Sequence, residues 1–196
     1  MFTGLVEGLA TVTQVVPEPP GTRLTIRAPS RSMRAEVGAS IAVNGCCLTV
    51  VAVDGDQLAF QAGAETLGRT NLGELRPASQ VNVEASLRLG DSLGGHLVTG
   101  HIDGLGTLVQ RTDEGDWSTF CFQAPRELMR QMASKGSIAV DGVSLTLVDV
   151  RDTQFTVALI PHTLAVTTLG RLQPGMHVNL ETDILAKYVQ RQLERS

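Results

Sequence analysis

Aromatic residues are scarce in this chain: one Trp, one Tyr and five Phe among 196 residues. So few rings exclude a platform for stacking the bases of a single-stranded nucleic acid and leave any core to Val, Leu, Ile and Ala. Positive charge is also short, with 16 Lys and Arg against 20 Asp and Glu and a net charge of −4. A protein that grips a phosphate backbone needs a cationic face, so nucleic acid is not an expected partner. No apolar run approaches the roughly 18 residues of a membrane span, and Met1-Phe2-Thr3-Gly4-Leu5-Val6-Glu7 lacks the basic start and apolar stretch of a signal peptide. A cytoplasmic protein without a membrane partner is the expectation. The cysteines are Cys46, Cys47 and Cys121, an odd number with one adjacent pair. Neighbours on a strand point to opposite faces, which makes a poor disulfide framework and fits a reducing compartment. Neither CxxC nor HExxH occurs and the four His are scattered, so no metal is expected.

What the chain does have is itself, twice. Thr3-Gly4-Leu5-Val6-Glu7-Gly8-Leu9 aligns with Thr99-Gly100-His101-Ile102-Asp103-Gly104-Leu105, and Ser40-Ile41-Ala42-Val43-Asn44-Gly45 with Ser137-Ile138-Ala139-Val140-Asp141-Gly142. Cys46-Cys47-Leu48-Thr49-Val50 then matches Val143-Ser144-Leu145-Thr146-Leu147, Glu65-Thr66-Leu67 matches His162-Thr163-Leu164, and Val81-Asn82-Val83-Glu84 matches Val178-Asn179-Leu180-Glu181. The offset is 96 from Thr3 to Thr99 and 97 from Ser40 to Ser137, so one insertion separates two tandem copies.

Each copy reads as antiparallel β. Leu48–Val53 is followed by Asp54-Gly55, a hairpin turn, and then by Gln57–Phe60. Short strands between Gly-containing turns, repeated over about 95 residues, favour a small closed barrel, because closure removes exposed edges. Helices are few. Pro125–Met132 has Pro at its start and Gly136 beyond its end, and Thr66–Leu72 and Thr163–Leu169 fit one or two helical turns each. At the tail, Ile184, Leu185, Tyr188, Val189, Gln192 and Leu193 share one face of a helix, with Lys187, Gln190, Arg191 and Glu194 opposite. Such a helix covers either its own domain or another subunit. The Gly-bearing stretch Leu87–Gly95 marks the domain boundary, giving barrels at 1–94 and 95–184 and a helix at 185–196.

Shared residues of a duplicated fold report the fold, and unshared polar ones are candidates for chemistry. Gly4, Gly8, Gly45 and Gly73, with their partners, read as backbone positions needing positive φ or close approach. Leu5 becomes His101, Cys47 becomes Ser144, Glu65 becomes His162, and Ser86 becomes Asp183. Each change taken alone has a plain structural account: a hydrogen-bonded His, a turn Ser, an inert buried thiol, a helix N-cap at Asp183. The residues by themselves lead to a duplicated β-barrel protein with two related, unequal sites.

Five stretches carry more. Met1-Phe2-Thr3-Gly4-Leu5-Val6, Asn44-Gly45-Cys46-Cys47-Leu48-Thr49-Val50, Gly94-Gly95-His96-Leu97-Val98-Thr99-Gly100-His101-Ile102, Asp141-Gly142-Val143-Ser144-Leu145-Thr146 and Ile160-Pro161-His162-Thr163-Leu164 together closely resemble the riboflavin synthase α-chain family, over essentially the whole chain. The resemblance implies an all-β protein of two six-stranded antiparallel Greek-key barrels plus a C-terminal helix. It also implies a homotrimer with active sites between subunits. The implied reaction, the last step of riboflavin biosynthesis, is dismutation of two 6,7-dimethyl-8-ribityllumazine molecules. A four-carbon transfer gives riboflavin and 5-amino-6-(D-ribitylamino)uracil, with no cofactor. Lumazine synthase is a candidate partner.

Carried over by position, the resemblance implies an N-terminal pocket of Gly4, Leu5, Val6, Cys47, Leu48, Thr49, Gln61, Ala62, Gly63, Ala64, Glu65 and Thr66. The C-terminal pocket takes Gly100, His101, Ile102, Lys135, Ser144, Leu145, Thr146, Ile160, Pro161, His162 and Thr163. His101 is the candidate base or proton relay, with Ser144, Thr146 and Asp183 near the ring and Cys47 as nucleophile or pocket wall. Two identical reactants held in two homologous pockets gain chiefly from proximity and orientation, worth about 7–11 kcal/mol when well aligned. The rival is a non-catalytic antenna protein of the same fold that binds one lumazine or flavin. Persistence of polar residues in both copies favours the enzyme.

Overall fold

The computed structural model describes residues 1–29 and 35–194. Six strands form the first barrel: β1 (Gly8–Glu18), β2 (Gly21–Arg27), β3 (Ser40–Val43), β4 (Cys46–Asp54), β5 (Gln57–Ala62) and β6 (Gln80–Ala85). Six more form the second: β7 (Gly104–Glu114), β8 (Trp117–Gln123), β9 (Ser137–Val140), β10 (Val143–Val150), β11 (Gln154–Leu159) and β12 (His177–Thr182). Around the first barrel the order is β1-β2-β5-β4-β3-β6, and the second repeats it as β7-β8-β11-β10-β9-β12. Every pairing is antiparallel. The expected pair of closed six-stranded Greek-key barrels is therefore present, and even the irregularities are duplicated. The register of β1 on β2 shifts between Val12 and Gln14, and that of β7 on β8 between Leu108 and Gln110.

Twelve residues separate β2 from β3 and thirteen separate β8 from β9, counting 28–39 and 124–136. The inserted residue falls there, beside the short helix α2 (Arg126–Met129), the only helical part of the expected Pro125–Met132 segment. The two other expected turns are helices α1 (Ala64–Arg69) and α3 (Pro161–Val166), each continued by a 3-10 turn, at Asn71–Glu74 and Thr168–Arg171. The Asp54-Gly55 hairpin forms as expected, with Gly55 at φ +59°.

Alternation along each strand builds two cores. On β4, Cys46, Leu48 and Val50 point inward while Cys47 and Thr49 face out. On β10, Val143 and Leu147 point inward while Ser144 and Thr146 face out. A third, smaller cluster of Phe2, Ala42, Val98 and Ala139 fills the seam between barrels.

The seam is an approximate twofold. Asn44-Gly45 and Asp141-Gly142, the turns before β4 and β10, meet back to back. A Cβ on Gly45 would lie 2.6 Å from the Gly142 nitrogen, and one on Gly142 2.7 Å from the Gly45 nitrogen. Both glycines also have positive φ, so any other residue is excluded twice over. Flanking them, Asn82 Nδ2 donates to the Asp141 carbonyl and to Thr168 Oγ1, and Asn179 Nδ2 donates to the Asn44 carbonyl and to Asn71 Oδ1. Each barrel thus lends one buried amide to satisfy the other's turn, as buried polar groups require.

The symmetry breaks at Asp141, whose counterpart is Asn44. Its Oδ1 accepts from the Asn179 N–H at 2.7 Å and from Asn71 Nδ2 at 2.9 Å. Burial pushes this carboxyl up to about 7 against the pull of those two donors, and Glu74 adds to the rise. The folded chain holds the Asp141 proton where the unfolded chain has released it. Its contribution is therefore complete below the ordinary value of 3.8 and drains away as pH rises towards about 7. Each unit of such elevation is worth about 1.4 kcal/mol. Asp141→Asn keeps an acceptor for both donors and removes the charge, so it should flatten the pH dependence across that window and raise the urea midpoint at pH 8. Denaturation curves from pH 4 to pH 8 test this; an unchanged slope would refute the assignment.

Candidate functional site

The segments that precede β1 and β7 lie against each other. Phe2 and Val98 exchange backbone hydrogen bonds, at 2.7 Å from the Phe2 N–H and 3.2 Å from the Val98 N–H. From this pairing each segment runs towards the other barrel. The Gly4 carbonyl accepts from the Ser144 N–H on β10 at 2.8 Å, and the Gly100 carbonyl accepts from the Cys47 N–H on β4 at 2.8 Å. Val6 packs on the core of the second barrel and Ile102 on the core of the first. Gly4 and Gly100 have φ of +77° and +80°, and a Cβ on either would come within 2.6 Å of the Cβ of Ser144 or Cys47 respectively.

This crossing sets each lead segment against the barrel opposite to the one with which it was expected to group. Gly4, Leu5 and Val6 belong with Ser144 and Thr146, and Gly100, His101 and Ile102 belong with Cys47 and Thr49. A segment close in sequence to one barrel serves the other, because the Phe2–Val98 pairing carries it across the seam.

On the first barrel, Cys47 and Thr49 stand on the outer face of β4, with Thr49 exposed. His101, next in the chain after the Gly100 that contacts Cys47, is exposed, its N–H donating to Thr99 Oγ1 at 3.3 Å. Gln61, Gly63, Ala64 and Glu65 are exposed at the end of β5 and the start of α1, with Thr66 half-buried. A groove of about 430 Å³ runs past Gln61, Ala62 and Gly63 to the β1–β2 turn, and Gln61 is tied there to Glu18 at 2.9 Å. On the second barrel Thr146, Ile160, Pro161 and His162 are exposed, with Ser144 and Thr163 half-buried. Lys135 is exposed in a positive-φ turn, its N–H bound to the Leu147 carbonyl.

Leu48 and Ala62 are buried in the first barrel, and Leu145 packs on the second core. The β pleat turns these three side chains away from the outer faces, so each can face a ligand only through its backbone.

One residue was not among the expected site residues. His96 is buried, and its Nδ1 lies 2.7 Å from Ser144 Oγ. Its Nε2 is the one buried side-chain nitrogen or oxygen without a partner among the described residues. Burial pulls the ring below the usual imidazole range, while the nearby Asp183 carboxylate pulls the other way. Asp183 Oδ1 accepts from the Leu185 N–H at 2.9 Å, so the plain N-cap reading of Asp183 holds, and its charge reaches His96 as well. Comparing the copies could not have found His96, because an offset of 96 places its counterpart before Met1. What the sequence did offer was a His flanked by Gly94-Gly95, and Gly95 leaves room for the Thr3 carbonyl and Ser144 side chain, which a Cβ would meet at 2.1 and 3.1 Å.

The arrangement offers two outward-facing half-sites with different chemistry. One holds a thiol and an exposed imidazole; the other holds a hydroxyl bonded to a buried, neutral-leaning imidazole beside a carboxylate. Burial raises the Cys46 thiol to about 12, so Cys46 is an inert core residue. Among the described residues no three His, Cys, Asp or Glu converge as metal ligands would, and no helix is long and apolar enough to cross a membrane.

Comparison with known proteins matches this geometry. The profile of the family described as "Lumazine binding domain" matches residues 3–86 and again 99–183. A riboflavin synthase of Mycobacterium tuberculosis is 48% identical over 195 residues, covering 97% of both chains. That of Escherichia coli (strain K12) is 39% identical over 197 residues, covering 100% of this chain and 92% of its own. Among solved structures, LumP complexed with riboflavin superposes with a TM-score of 0.86 at 32% identity, over 93% of this chain and 99% of its own. LumP complexed with 6,7-dimethyl-8-(1'-D-ribityl) lumazine gives 0.84 at 29% identity with the same coverage.

The His96–Ser144 bond sets the two copies apart in stability as well as chemistry. Ser144→Ala removes the side-chain partner of a buried ring, and should cost about 1–3 kcal/mol. Cys47→Ala, the same edit at the duplicate position, removes a half-buried thiol and should cost less than about 1 kcal/mol. Urea denaturation of the two variants checks the difference, and equal losses would show that the His96 contact contributes nothing.

Proposed function

Since the chain belongs to the lumazine-binding domain family, with two copies of that domain in tandem, we propose that it acts as a riboflavin synthase. Two molecules of 6,7-dimethyl-8-ribityllumazine react; one gives a four-carbon unit to the other, and the products are riboflavin and 5-amino-6-(D-ribitylamino)uracil. The observation that carries this reading is the pair of crossed half-sites, alike in backbone and unlike in side chains. A reaction between two copies of one compound, with opposite roles, calls for that combination.

The chemistry asked of the protein is modest. The C7 methyl of the lumazine is acidic because its carbanion delocalises into the ring. The site must therefore orient two rings, accept a proton and stabilise an anion. Backbone groups at the crossing segments and the Thr49 and Thr146 hydroxyls serve orientation, which accounts for ring binding in a chain with few aromatics. His101, Ser144, Thr146, Asp183 and Cys47 remain the groups assigned to the reacting atoms. To them we add His96, whose Nδ1 lies 2.7 Å from Ser144 Oγ, within reach of a proton exchange.

Both half-sites open to solvent, and completing a water-excluding site requires a second surface. Leu185, Tyr188, Val189 and Leu193 of α4 (Ile184–Leu193) are 62%, 67%, 59% and 71% exposed. The helix docks on its own barrel through polar groups instead, Lys187 to Asp103 at 2.7 Å and Gln190 to Gln131 at 2.8 Å. A large apolar stripe held outward suits a subunit contact. The reading is a cytoplasmic homotrimer whose half-sites pair between neighbouring subunits, with lumazine synthase as a further partner. The domain division of the proposal is 1–94, 95–184 and 185–196, of which residues 195 and 196 lie outside the described residues.

The antenna reading is favoured by the LumP superpositions. Against it stand the higher identity to riboflavin synthases and the polar side chains kept on both barrels. Incubating the chain with 6,7-dimethyl-8-ribityllumazine should yield one riboflavin for every two lumazines consumed; tight binding without turnover would overturn the enzyme in favour of the antenna. Leu185→Asp with Val189→Asp should lower the sedimentation mass to that of a monomer and abolish turnover while leaving the fold intact by circular dichroism. An unchanged mass would refute the role given to α4.

A further inference from the structure

Two buried carboxylates lie outside the groups assigned to the reaction, and the repeat places them at equivalent positions: Glu84 on β6 and Glu181 on β12. Glu84 Oε1 accepts from the Thr3 N–H and the Thr3 hydroxyl, both at 2.7 Å, and its Oε2 accepts from the Gly4 N–H at 3.0 Å. Glu181 Oε1 accepts from the Thr99 N–H and hydroxyl, both at 2.7 Å, and its Oε2 from the Gly100 N–H at 2.9 Å. They are 5% and 1% exposed. Three donors converge on each carboxylate and favour its ionised form, against burial, which raises both carboxyls above their ordinary value.

What each anchor holds is in the opposite barrel. Through Glu84 the Thr3-Gly4 backbone is fixed. The Thr3 carbonyl then accepts the His96 N–H at 3.1 Å, and the Gly4 carbonyl accepts the Ser144 N–H at 2.8 Å. Through Glu181 the Thr99-Gly100 backbone is fixed, and the Gly100 carbonyl accepts the Cys47 N–H at 2.8 Å. We propose that Glu84 and Glu181 are crossed positioning residues: the carboxylate of the first barrel sets the half-site of the second, and the carboxylate of the second sets that of the first. The proposal rests on reading the Ser144 and Cys47 faces as lumazine sites. It adds that neither barrel alone contains the determinants of its own site.

The anchor needs an ionised carboxylate with all its lone pairs free. Gln in either place still accepts from Thr3 or Thr99 but turns an N–H₂ towards the glycine N–H, donor against donor. The test places one thiol reporter in each half-site of the full chain. Cys47 reports on the first barrel. The thiol introduced by Ser144→Cys, in a chain also carrying Cys47→Ala, reports on the second. Iodoacetamide labelling is followed at each reporter by peptide mass, with and without riboflavin.

Losing one charge-assisted bond should raise local opening by about tenfold. E181Q should therefore accelerate Cys47 labelling by about that factor and leave the S144C thiol within twofold; E84Q should do the reverse. Riboflavin's protection should be lost at the accelerated reporter and kept at the other, a pattern that general destabilisation does not produce. Acceleration of the reporter in the same barrel as the substitution, or of both alike, would overturn the crossing. Should a Gln variant fail to fold, Thr3→Val and Thr99→Val remove only the hydroxyl donors and must show the same crossed pattern, with the same outcomes against it. Crossed acceleration with no riboflavin protection in the parent would uphold the wiring and overturn only the ligand reading.

Discussion

The contact on which the rest depends is the back-to-back meeting of Asn44-Gly45 and Asp141-Gly142. Two backbones approach until neither glycine has room for a Cβ, and that approach fixes the barrels in one mutual orientation. Neither turn can satisfy its polar groups alone. Asn82 and Asn179 each reach across to a carbonyl of the other barrel, so separating the barrels would expose unpaired groups as well as the Phe2, Ala42, Val98 and Ala139 seam. Buried amides with full hydrogen bonding specify geometry more sharply than apolar packing does. That sharpness matters here, because the lead segments cross only if the seam is held to within the length of a hydrogen bond.

Crossing changes what the duplication means. Two autonomous barrels joined by a linker would carry two independent sites. In this chain each barrel lends a wall to the other, so the half-sites share one mechanical frame while their side chains diverge. The divergence is concentrated where the repeat has no counterpart or a changed one. Ser144 has gained a buried imidazole partner and Cys47 has not; His101 stands where Leu5 stands in the other wall. One half-site presents a hydroxyl bonded to a buried imidazole, and the other a half-buried thiol in a barrel whose crossing segment carries the exposed His101. That inequality is what a reaction between two copies of one compound requires, since identical half-sites would not distinguish giver from taker.

Much of this was legible in the sequence, for physical reasons. Alternating apolar residues, the Asp54-Gly55 hairpin and a repeat offset of 96 or 97 define strands and their duplication, because the pleat and the turn are local. The crossing was not legible. Gly4 is close to Cys47 in sequence order and far from Ser144, and only the Phe2–Val98 pairing, a contact between the two copies, reverses that neighbourhood. Leu48 and Leu145 fell into the expected pockets as members of contiguous motifs, although strand alternation turns them inward. His96 escaped because comparison of copies sees only positions present in both. Glu84 and Glu181 escaped for the opposite reason. Being shared, they read as residues of the fold, and they are that too. In a fold whose walls cross, holding the fold and shaping a site are the same act.

The helix α4 meets its own barrel with Lys187 and Gln190, against Asp103 and Gln131, while Ile184 is half-buried and Leu185, Tyr188, Val189 and Leu193 are left facing outward. The sequence pattern left open whether that stripe covers its own domain or another subunit; in the folded chain Leu185, Tyr188, Val189 and Leu193 stay exposed. Asp183 couples this geometry to the site: it caps the first turn of α4 and places its charge near His96. Any surface that covers the stripe thus presses on a helix whose first turn is bound to the carboxylate beside the His96–Ser144 pair.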